Sequence, residues 1–373
     1  MFYRTATASQ QIAASGRQSS VLHRLAPQLL AARPSVSQHH QLNPAAPAQW
    51  SSANRSAALL GLTRAGSLLA MSCLADEAMA ASYTEEPSVA ASSFAAASAV
   101  ATQVPTEGNG KPASSGALLL TSGAFVLPHP DKVAKGGEDW YFIAANHRAV
   151  GVADGVGGWS EVGVDAGAYA RQLMGNAATV ADESTSSVPD AQVELPAQEI
   201  LERAYSQTTV RGSSTACVAV LNGDNLVVSN LGDSGLLILR AGKVAFHTPQ
   251  QQHGFNFPYQ IGSADSMSDS PSSAQRFEVA VQPGDLLVLG SDGLWDNCFD
   301  EEVASVLKYC GEQKMEVAKM AQVLAHYARH RASDSKFASP FAYAAFQAGY
   351  AYMGGKMDDI TVVICAVQQP AKL

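Results

Sequence analysis

The sequence has few cysteines and no excess of basic residues. Its five cysteines, in 373 residues, form no CxxC or CxxxC pair, so neither a disulfide framework nor a zinc knuckle is expected, and a reducing compartment fits. The 24 lysines and arginines are outnumbered by 33 aspartates and glutamates, which gives a formal net charge of −9. This balance argues against binding to nucleic acid through a basic surface, and no nucleic-acid partner is predicted.

Long hydrophobic runs are also missing. The most apolar early stretch is AALLGLTRAGSLLAMSCLA, and Arg64 interrupts it. The pieces on either side are shorter than the roughly 20 residues that a membrane helix needs. No membrane span is predicted.

The first 75 residues contain neither an acidic residue nor a lysine, but they are rich in Ser, Ala and Gln. They contain six arginines, at positions 4, 17, 24, 33, 55 and 64. This composition is typical of an organelle transit peptide, although a disordered basic tail would share it. We predict a transit peptide and basic tail over 1–75, directed to the mitochondrion or the chloroplast, with the arginine-bearing amphipathic start slightly favouring the mitochondrion.

The rest of the chain divides into a linker and one globular domain. Residues 76–117 are Ala/Ser-rich with Pro and Gly, which is typical of a flexible linker. Residues 118–368 contain short β-branched runs, including a predicted meander over 213–248. They also contain predicted helices over 165–183, 300–310 and 315–332. Runs of adjacent strands without strict strand–helix alternation predict an α+β fold of antiparallel sheets with helices packed outside.

Carboxylates recur at the predicted strand ends. They are Glu138 and Asp139 in GGEDWYF, Asp154 in GVADGVGGW, Asp233 in NLGDSG, Asp292 and Asp296 in GSDGLWDN, and Asp358 and Asp359 in GGKMDDITVV. An isolated Asp-Gly pair is usually only a turn, but here the same arrangement recurs. The sequence offers no evident nearby set of lysines and arginines to pair with these acids, and charges near a core need a partner or a metal. A set of oxygen ligands without histidine predicts two Mg²⁺ or Mn²⁺ ions, and hydrolysis of a phosphoester follows as the leading chemistry.

Six motifs resemble the signature series of the metal-dependent Ser/Thr phosphatases of type 2C, most closely that of the organellar branch of this family. In chain order they are GGEDWYF, GVADGVGGW, GSSTA, NLGDSG, GSDGLWDN and GGKMDDITVV. The resemblance covers roughly 120–368 and makes 118–368 a phosphatase catalytic domain. It implies an αββα sandwich, with two antiparallel sheets and the helices on the outside. It also implies a phosphorylated protein as substrate, attacked by a water or hydroxide that a binuclear Mn/Mg centre activates, and a monomer is expected.

The resemblance also implies roles for the acidic residues. Asp154 would bridge both metals and the Gly155 carbonyl would bind one of them. Asp292 and Asp358 would complete the shell of the first metal, and Glu138 would serve the second, with Asp139 orienting ligands. Asp233 and Asp296 match residues that hold a weaker third metal in some relatives. In the pair at 358–359, Asp358 is assigned as the ligand and Asp359 as a turn or supporting residue.

Two positions depart from the family pattern. Many relatives have a histidine, proposed as the general acid, where this chain has Val156, so the proton for the leaving group must come from water or another group. The phosphate-binding arginine of many relatives has no evident match either. Lys132 or Lys135 could replace it as a point charge.

Two other features of the sequence are relevant to function. The GDSG segment suggests a serine protease with Ser234 as nucleophile, but no histidine lies in a suitable turn. A catalytically weak or inactive phosphoprotein-binding module of the same fold stays open. The complete set of Asp154, Asp292 and Asp358 favours the enzyme.

Overall fold

The computed structural model of the chain describes residues 118–186 and 196–369, except the side chains of 184–186. The strands in these ranges are β1 Leu119–Leu127, β2 Asp139–Ile143, β3 Ala149–Asp154, β4 Ser213–Ser214, β5 Ala216–Asn222, β6 Asn225–Leu231, β7 Gly235–Arg240, β8 Lys243–His247, β9 Gln252–Gly254, β10 Phe257–Pro258, β11 Ile261–Gly262, β12 Gln275–Ala280, β13 Leu286–Gly290 and β14 Ile360–Gln368. The helices are α1 Ala166–Ser186, α2 Ala197–Gln207, α3 Asp292–Trp295, α4 Asp300–Glu312, α5 Val317–Ser333 and α6 Pro340–Gln347. The predicted segments 1–75 and 76–117 lie outside the described residues.

Two antiparallel five-stranded sheets form the centre of the described fold. The strand order is β1-β14-β13-β7-β8 in the first sheet and β12-β6-β5-β3-β2 in the second. Two small two-stranded ladders, β9 with β10 and β4 with β11, lie beside them. This arrangement matches the antiparallel sheets expected from the sequence.

Three apolar layers hold these elements together. One lies between the two sheets and includes Val152 of β3 and Leu289 of β13. A second lies between the first sheet and helices α4 and α5, and a third between the second sheet and helices α1 and α2. The order of layers is therefore helix, sheet, sheet, helix, with both faces of each sheet covered.

Burial on both faces explains the unbroken apolar runs of the central strands. All of Ala149–Ala153 in β3 and all of Ala216–Leu221 in β5 are buried, so these strands show no alternation of polar and apolar residues. A sheet with one face in water would alternate along each strand. The continuous runs are the local signature of a sheet covered on two sides.

The predicted meander over 213–248 is wrong in one respect, because its strands divide between the two sheets. Strands β5 and β6 pair in the second sheet, and β7 and β8 pair in the first. The chain crosses over at Gly232, which has φ +104°, a value that favours glycine. A Cβ there would lie 2.7 Å from the Tyr259 carbonyl oxygen, so the crossing also requires close packing.

The predicted helices over 165–183, 300–310 and 315–332 are confirmed by α1, α4 and α5. Helix α5 packs closely on β1, because a Cβ on Gly123 would lie 2.4 Å from the Ala318 amide nitrogen. None of the helices in the described ranges is long and apolar enough to cross a membrane.

Candidate metal centre

Five separate segments bring carboxylates to one end of the sandwich. Strand β2 begins where the antiparallel strand β3 ends, so Asp139 pairs directly with Asp154. Strand β14 begins where β13 ends, so the pair at 358–359 approaches the short helix α3, which contains Asp292. Asp233 enters at the crossover between the sheets. The topology therefore assembles acids from both sheets, although they are far apart in sequence.

A buried serine connects the two sheets at this end. The Ser291 hydroxyl donates to Asp139 Oδ2 at 2.6 Å and accepts a hydrogen bond from the Thr361 amide at 3.0 Å. Ser291 precedes α3, and Ser291, Asp139 and Thr361 are all fully buried. This contact fixes the orientation of the Asp139 carboxylate relative to the neighbouring Asp292.

Asp359 ties the segment before β2 to the start of β14. Its Oδ1 accepts a hydrogen bond from the His129 amide at 2.6 Å, and its Oδ2 accepts one from the Glu138 amide at 3.0 Å. Asp359 is 2% exposed, whereas Asp358 is more accessible. Asp359 thereby positions the backbone that carries Glu138.

Gly155 lets two chain segments approach closely beside the acids. Its amide donates to the Glu138 carbonyl at 3.1 Å. A Cβ at this position would lie 2.5 Å from the Ala166 carbonyl oxygen and 2.7 Å from that of Glu138. No side chain fits there, so the glycine is required by packing at the point where β3 ends.

Two lysines lie among the carboxylates, contrary to the expectation that no cations would be nearby. Lys132 Nζ is 2.6 Å from Glu138 Oε2 and 3.7 Å from Asp358 Oδ1. Lys356 Nζ is 2.5 Å from Asp292 Oδ2 and 3.5 Å from Asp358 Oδ2. The expectation was wrong because the lysines also pair with acids that are up to 227 residues away in sequence.

The carboxylates affect each other's protonation strongly. Burial, together with repulsion by Asp139 and Asp292, raises the pKa of Asp154 well above its usual range. Burial also raises the pKa of Asp139. Burial alone would raise the pKa of Asp292, but the charge of Lys356 outweighs it and lowers that pKa.

The two outlying acids are shifted in the same direction. Burial and repulsion by Asp292 and Asp296 raise the pKa of Asp233 to about 7. Burial raises the pKa of Asp296 to about 6, although Lys356 opposes the shift. Without a cation beyond the two lysines, some carboxyl groups of the cluster therefore stay protonated and uncharged.

The donor set fits a divalent cation. In residues 118–186 and 196–369, no three His, Cys, Asp or Glu side chains already form a metal site. Two buried carboxylate oxygens, Asp139 Oδ1 and Asp292 Oδ1, nevertheless have no hydrogen-bond partner among the described residues. Unpartnered oxygens in a set of carboxylates suit Mg²⁺ or Mn²⁺, which bind oxygen ligands.

Comparisons with known proteins agree with this geometry. The family model described as Stage II sporulation protein E (SpoIIE) matches residues 145–368. The Arabidopsis thaliana protein named Probable protein phosphatase 2C 80 is 48% identical over 251 residues, covering 67% of this chain and 59% of the relative. Probable protein phosphatase 2C 26 of the same plant is 38% identical over 266 residues, covering 67% and 84%.

A solved structure, that of the photosystem II phosphatase PBCP, is 34% identical with a TM-score of 0.59 and covers 67% of this chain and 99% of that one. The chain belongs to the protein phosphatase 2C family. The sequence-predicted αββα sandwich is confirmed by the sheets and by this likeness. The phosphatase 2C chain spans 59% of the length of the first relative and 52% of a second, Probable protein phosphatase 2C 55.

The remaining predicted residues of this phosphatase 2C chain lie in different surroundings. Lys132 is inside the acidic cluster, whereas Lys135 is exposed. Val156 precedes a short 3₁₀ turn, Gly157–Val162, whose Ser160 hydroxyl donates to Glu138 Oε1 at 2.9 Å.

The serine-protease alternative finds no support. Ser234 is buried, and its hydroxyl shares a hydrogen bond of 2.8 Å with that of Thr215. Thr215 in turn accepts a hydrogen bond from the Asp154 amide at 3.1 Å. Both hydroxyls therefore support the strand end that carries Asp154.

Lys356 is the main site residue that sequence reasoning missed in this phosphatase 2C chain. It stands only two residues before Asp358, inside a motif already singled out. Its position in the motif was the available signal, but its contact with the distant Asp292 depends on the fold.

Proposed function

We propose that the chain is a metal-dependent protein serine/threonine phosphatase of the organellar branch of its family. The observation that carries this proposal is the convergence of carboxylates from both sheets at one end of the sandwich. The family membership supports the same reaction class. The substrate would be a phosphoseryl or phosphothreonyl group on a protein.

Two Mn²⁺ or Mg²⁺ ions would be held by residues that already converge. Asp154 would lie between the ions and the Gly155 carbonyl would bind one. Asp292 and Asp358 would complete one shell, and Glu138 would serve the other. When bound, such ions supply Lewis acidity that activates water and neutralises phosphoryl charge.

The assignment of Asp358 rather than Asp359 as the ligand rests on their partners. Both Asp359 oxygens already accept backbone hydrogen bonds, from His129 and Glu138. Asp358 contacts the two lysine ammonium groups with its two oxygens, and its side chain is 27% exposed. Asp139, held by Ser291, and Asp359 would orient the ligands.

Lys132 is the better candidate for contact with the phosphoryl group. Its ammonium lies within 4 Å of three carboxylates of the cluster. Burial would lower the pKa of Lys132, but its hydrogen bond to Glu138 and the charges of Asp359 and Asp358 outweigh this and raise it. The group therefore stays charged and would act as a fixed positive charge rather than as a proton donor.

Turnover of para-nitrophenyl phosphate and of a phosphothreonine peptide, with Mn²⁺ and with or without a chelator, tests this function. Asp154→Asn and Asp292→Asn should each lower the rate by more than about 100-fold, since even residues that only orient metal ligands cost 10–100-fold. Circular dichroism should show an intact fold. Glu312→Gln, at the exposed end of α4, is the matched control and should keep the parent rate.

The outcomes separate the enzyme from its alternative. A rate that the chelator leaves unchanged, or a normal rate in either variant, would contradict the metal mechanism. No turnover of either substrate, together with binding of the phosphopeptide, would instead support a phosphoprotein-binding module.

The organelle is a second part of the proposal. It rests on the arginine-bearing, acid-free composition of residues 1–75. A fluorescent fusion of the full chain should enter mitochondria or chloroplasts, and deletion of 1–75 should abolish import while keeping turnover. Equal import of the deleted chain would contradict a transit peptide.

A further inference from the structure

Lys356 is enclosed by three carboxylates. Its ammonium lies 2.5 Å from Asp292 Oδ2, 2.8 Å from Asp296 Oδ2 and 3.5 Å from Asp358 Oδ2. The Phe341 ring covers it at 5.2 Å from the ring centroid. Only 16% of the side chain is exposed, so the ammonium contacts carboxylates on one side and the Phe341 ring on the other instead of water.

The backbone of Lys356 is fixed by the turn that directly follows α3. The Lys356 amide donates to Asn297 Oδ1 at 2.8 Å, and Asn297 Nδ2 donates back to the Lys356 carbonyl at 2.8 Å. Asn297 is fully buried and also donates to the Gly293 carbonyl. This reciprocal pair of hydrogen bonds holds the Lys356 backbone where its side chain reaches Asp292 and Asp296.

The segment that precedes Lys356 also restrains its backbone. A Cβ on Gly355 would lie 2.2 Å from the Arg331 carbonyl oxygen, so the chain packs directly on the end of α5. The Tyr352 hydroxyl donates to the Gly355 carbonyl at 2.8 Å. The ammonium is thus held at its position by the fold.

We propose that the Lys356 ammonium is a built-in cation that takes the place of a third divalent ion between Asp292 and Asp296. The inference rests on the proposed function, because it concerns the same centre. It changes the expected metal content from as many as three ions to two, and it keeps one positive charge among these acids at any metal concentration.

The donor geometry supports this assignment. An ammonium group has three N–H donors, and three carboxylate oxygens lie within 3.5 Å of this one. A divalent ion between Asp292 and Asp296 would meet the ammonium at close range and be repelled. Asp233, the other residue expected to serve such an ion, already accepts a hydrogen bond from Gln252 at 3.1 Å.

Metal stoichiometry tests the proposal. The metal-free full chain is titrated with MnCl₂ by calorimetry, as wild type, Lys356→Gln, Lys356→Arg and Lys243→Gln. Lys243 is an exposed lysine of β8 and serves as the control. We expect two ions in the wild type, in Lys356→Arg and in the control, and three in Lys356→Gln, which leaves the acids without their cation. Three ions in the wild type, or two in Lys356→Gln, would overturn the proposal.

Thermal unfolding provides a second measurement in case Lys356→Gln folds poorly. Without metal, this variant should melt below the wild type, because three carboxylates lose their partner. MnCl₂ should raise its Tm by more than it raises that of the wild type, and NaCl of equal ionic strength should not. If NaCl raised the Tm of Lys356→Gln equally, or if MnCl₂ did not raise it, this variant would not have gained a site for a divalent ion and the proposal would be contradicted.

The two levels of the proposal fail in different ways. A wild type that binds two ions but hydrolyses neither phosphate ester would remove the proposed function and leave the built-in cation standing. A wild type that is an active, chelator-sensitive enzyme with three ions would remove only the built-in cation. No bound Mn²⁺ in any form would overturn both.

Discussion

Asp358 and Asp359 adjoin in sequence and both contact the Lys132 ammonium, but their other partners differ. The Asp359 carboxylate accepts hydrogen bonds from the amides of His129 and Glu138, both in the segment that leads into β2. The Asp358 carboxylate is partly exposed and faces the ammonium groups of Lys132 and Lys356. The first is a structural anchor, and the second is the proposed metal ligand.

This difference predicts opposite effects on stability. Asp359→Ala should lower the free energy of unfolding by about 2–4 kcal/mol, because it leaves buried amides without an acceptor at a cost of about 1–3 kcal/mol each. Asp358→Ala should change it by less than about 1 kcal/mol, because it removes a carboxylate that neighbouring acids repel. Urea unfolding in metal-free buffer measures both. Equal losses in the two variants would show that the anchor is misassigned.

At this scale the sequence marked the acids as candidates but did not mark their partners. Asp139, Asp154, Asp292 and Asp358 stand out because each follows or precedes an apolar strand and is close to glycine. Lys356 carries no such mark, since a lysine near a turn is ordinary in any sequence. Its role depends on a contact across 64 residues, which no local pattern encodes.

Helices and strands were predictable where apolar residues recur at a regular spacing along the chain. Helices α4 and α5 follow from apolar residues at three- and four-residue spacing, and the buried face of α4 includes Val303, Val306 and Leu307. The assignment of β6 and β7 to different sheets was not predictable, since hairpin-like turns look alike whether the next strand pairs or crosses over. The position of Asp233 depends on that crossover.

Two glycines in different elements predict opposite responses to alanine. Gly175 in α1 has open space around its Cβ position, so Gly175→Ala should stabilise the protein by about 0.5–1 kcal/mol through helix propensity. Gly123→Ala should destabilise it by about 1–3 kcal/mol, because the new methyl group would displace α5 from β1. Denaturant unfolding of both variants checks this. Stabilisation by Gly123→Ala would show that α5 can shift without cost.

In the described fold as a whole, four cysteines lie in the apolar layers and can be used to probe their packing. Cys217 and Cys365 lie in the layer between the two sheets, and Cys298 and Cys310 lie in the layer between the first sheet and helices α4 and α5. All four are free thiols and are buried. Cys298 is 2% exposed and packs as a small apolar residue.

These thiols should resist alkylation in the folded protein. Burial raises the pKa of Cys310 to about 11 and that of Cys365 to about 12, so almost no reactive thiolate forms below those values. Iodoacetamide at about pH 8 should leave all four unmodified until guanidinium chloride unfolds the chain. Mass spectrometry of each cysteine peptide makes the comparison. Modification of any one of them in native buffer would reveal local opening of its layer.

The Ser291 hydroxyl, bonded to Asp139 at 2.6 Å, joins the two sheets at the end where the acids meet. Asp139 and Asp154 belong to one sheet, whereas Asp292 and Asp358 adjoin strands of the other. A folding intermediate with a single completed sheet would carry only part of the acidic cluster. Whatever reaction the cluster performs, it can begin only after the sandwich has closed, so onset of activity during refolding should mark the last assembly step rather than the formation of either half.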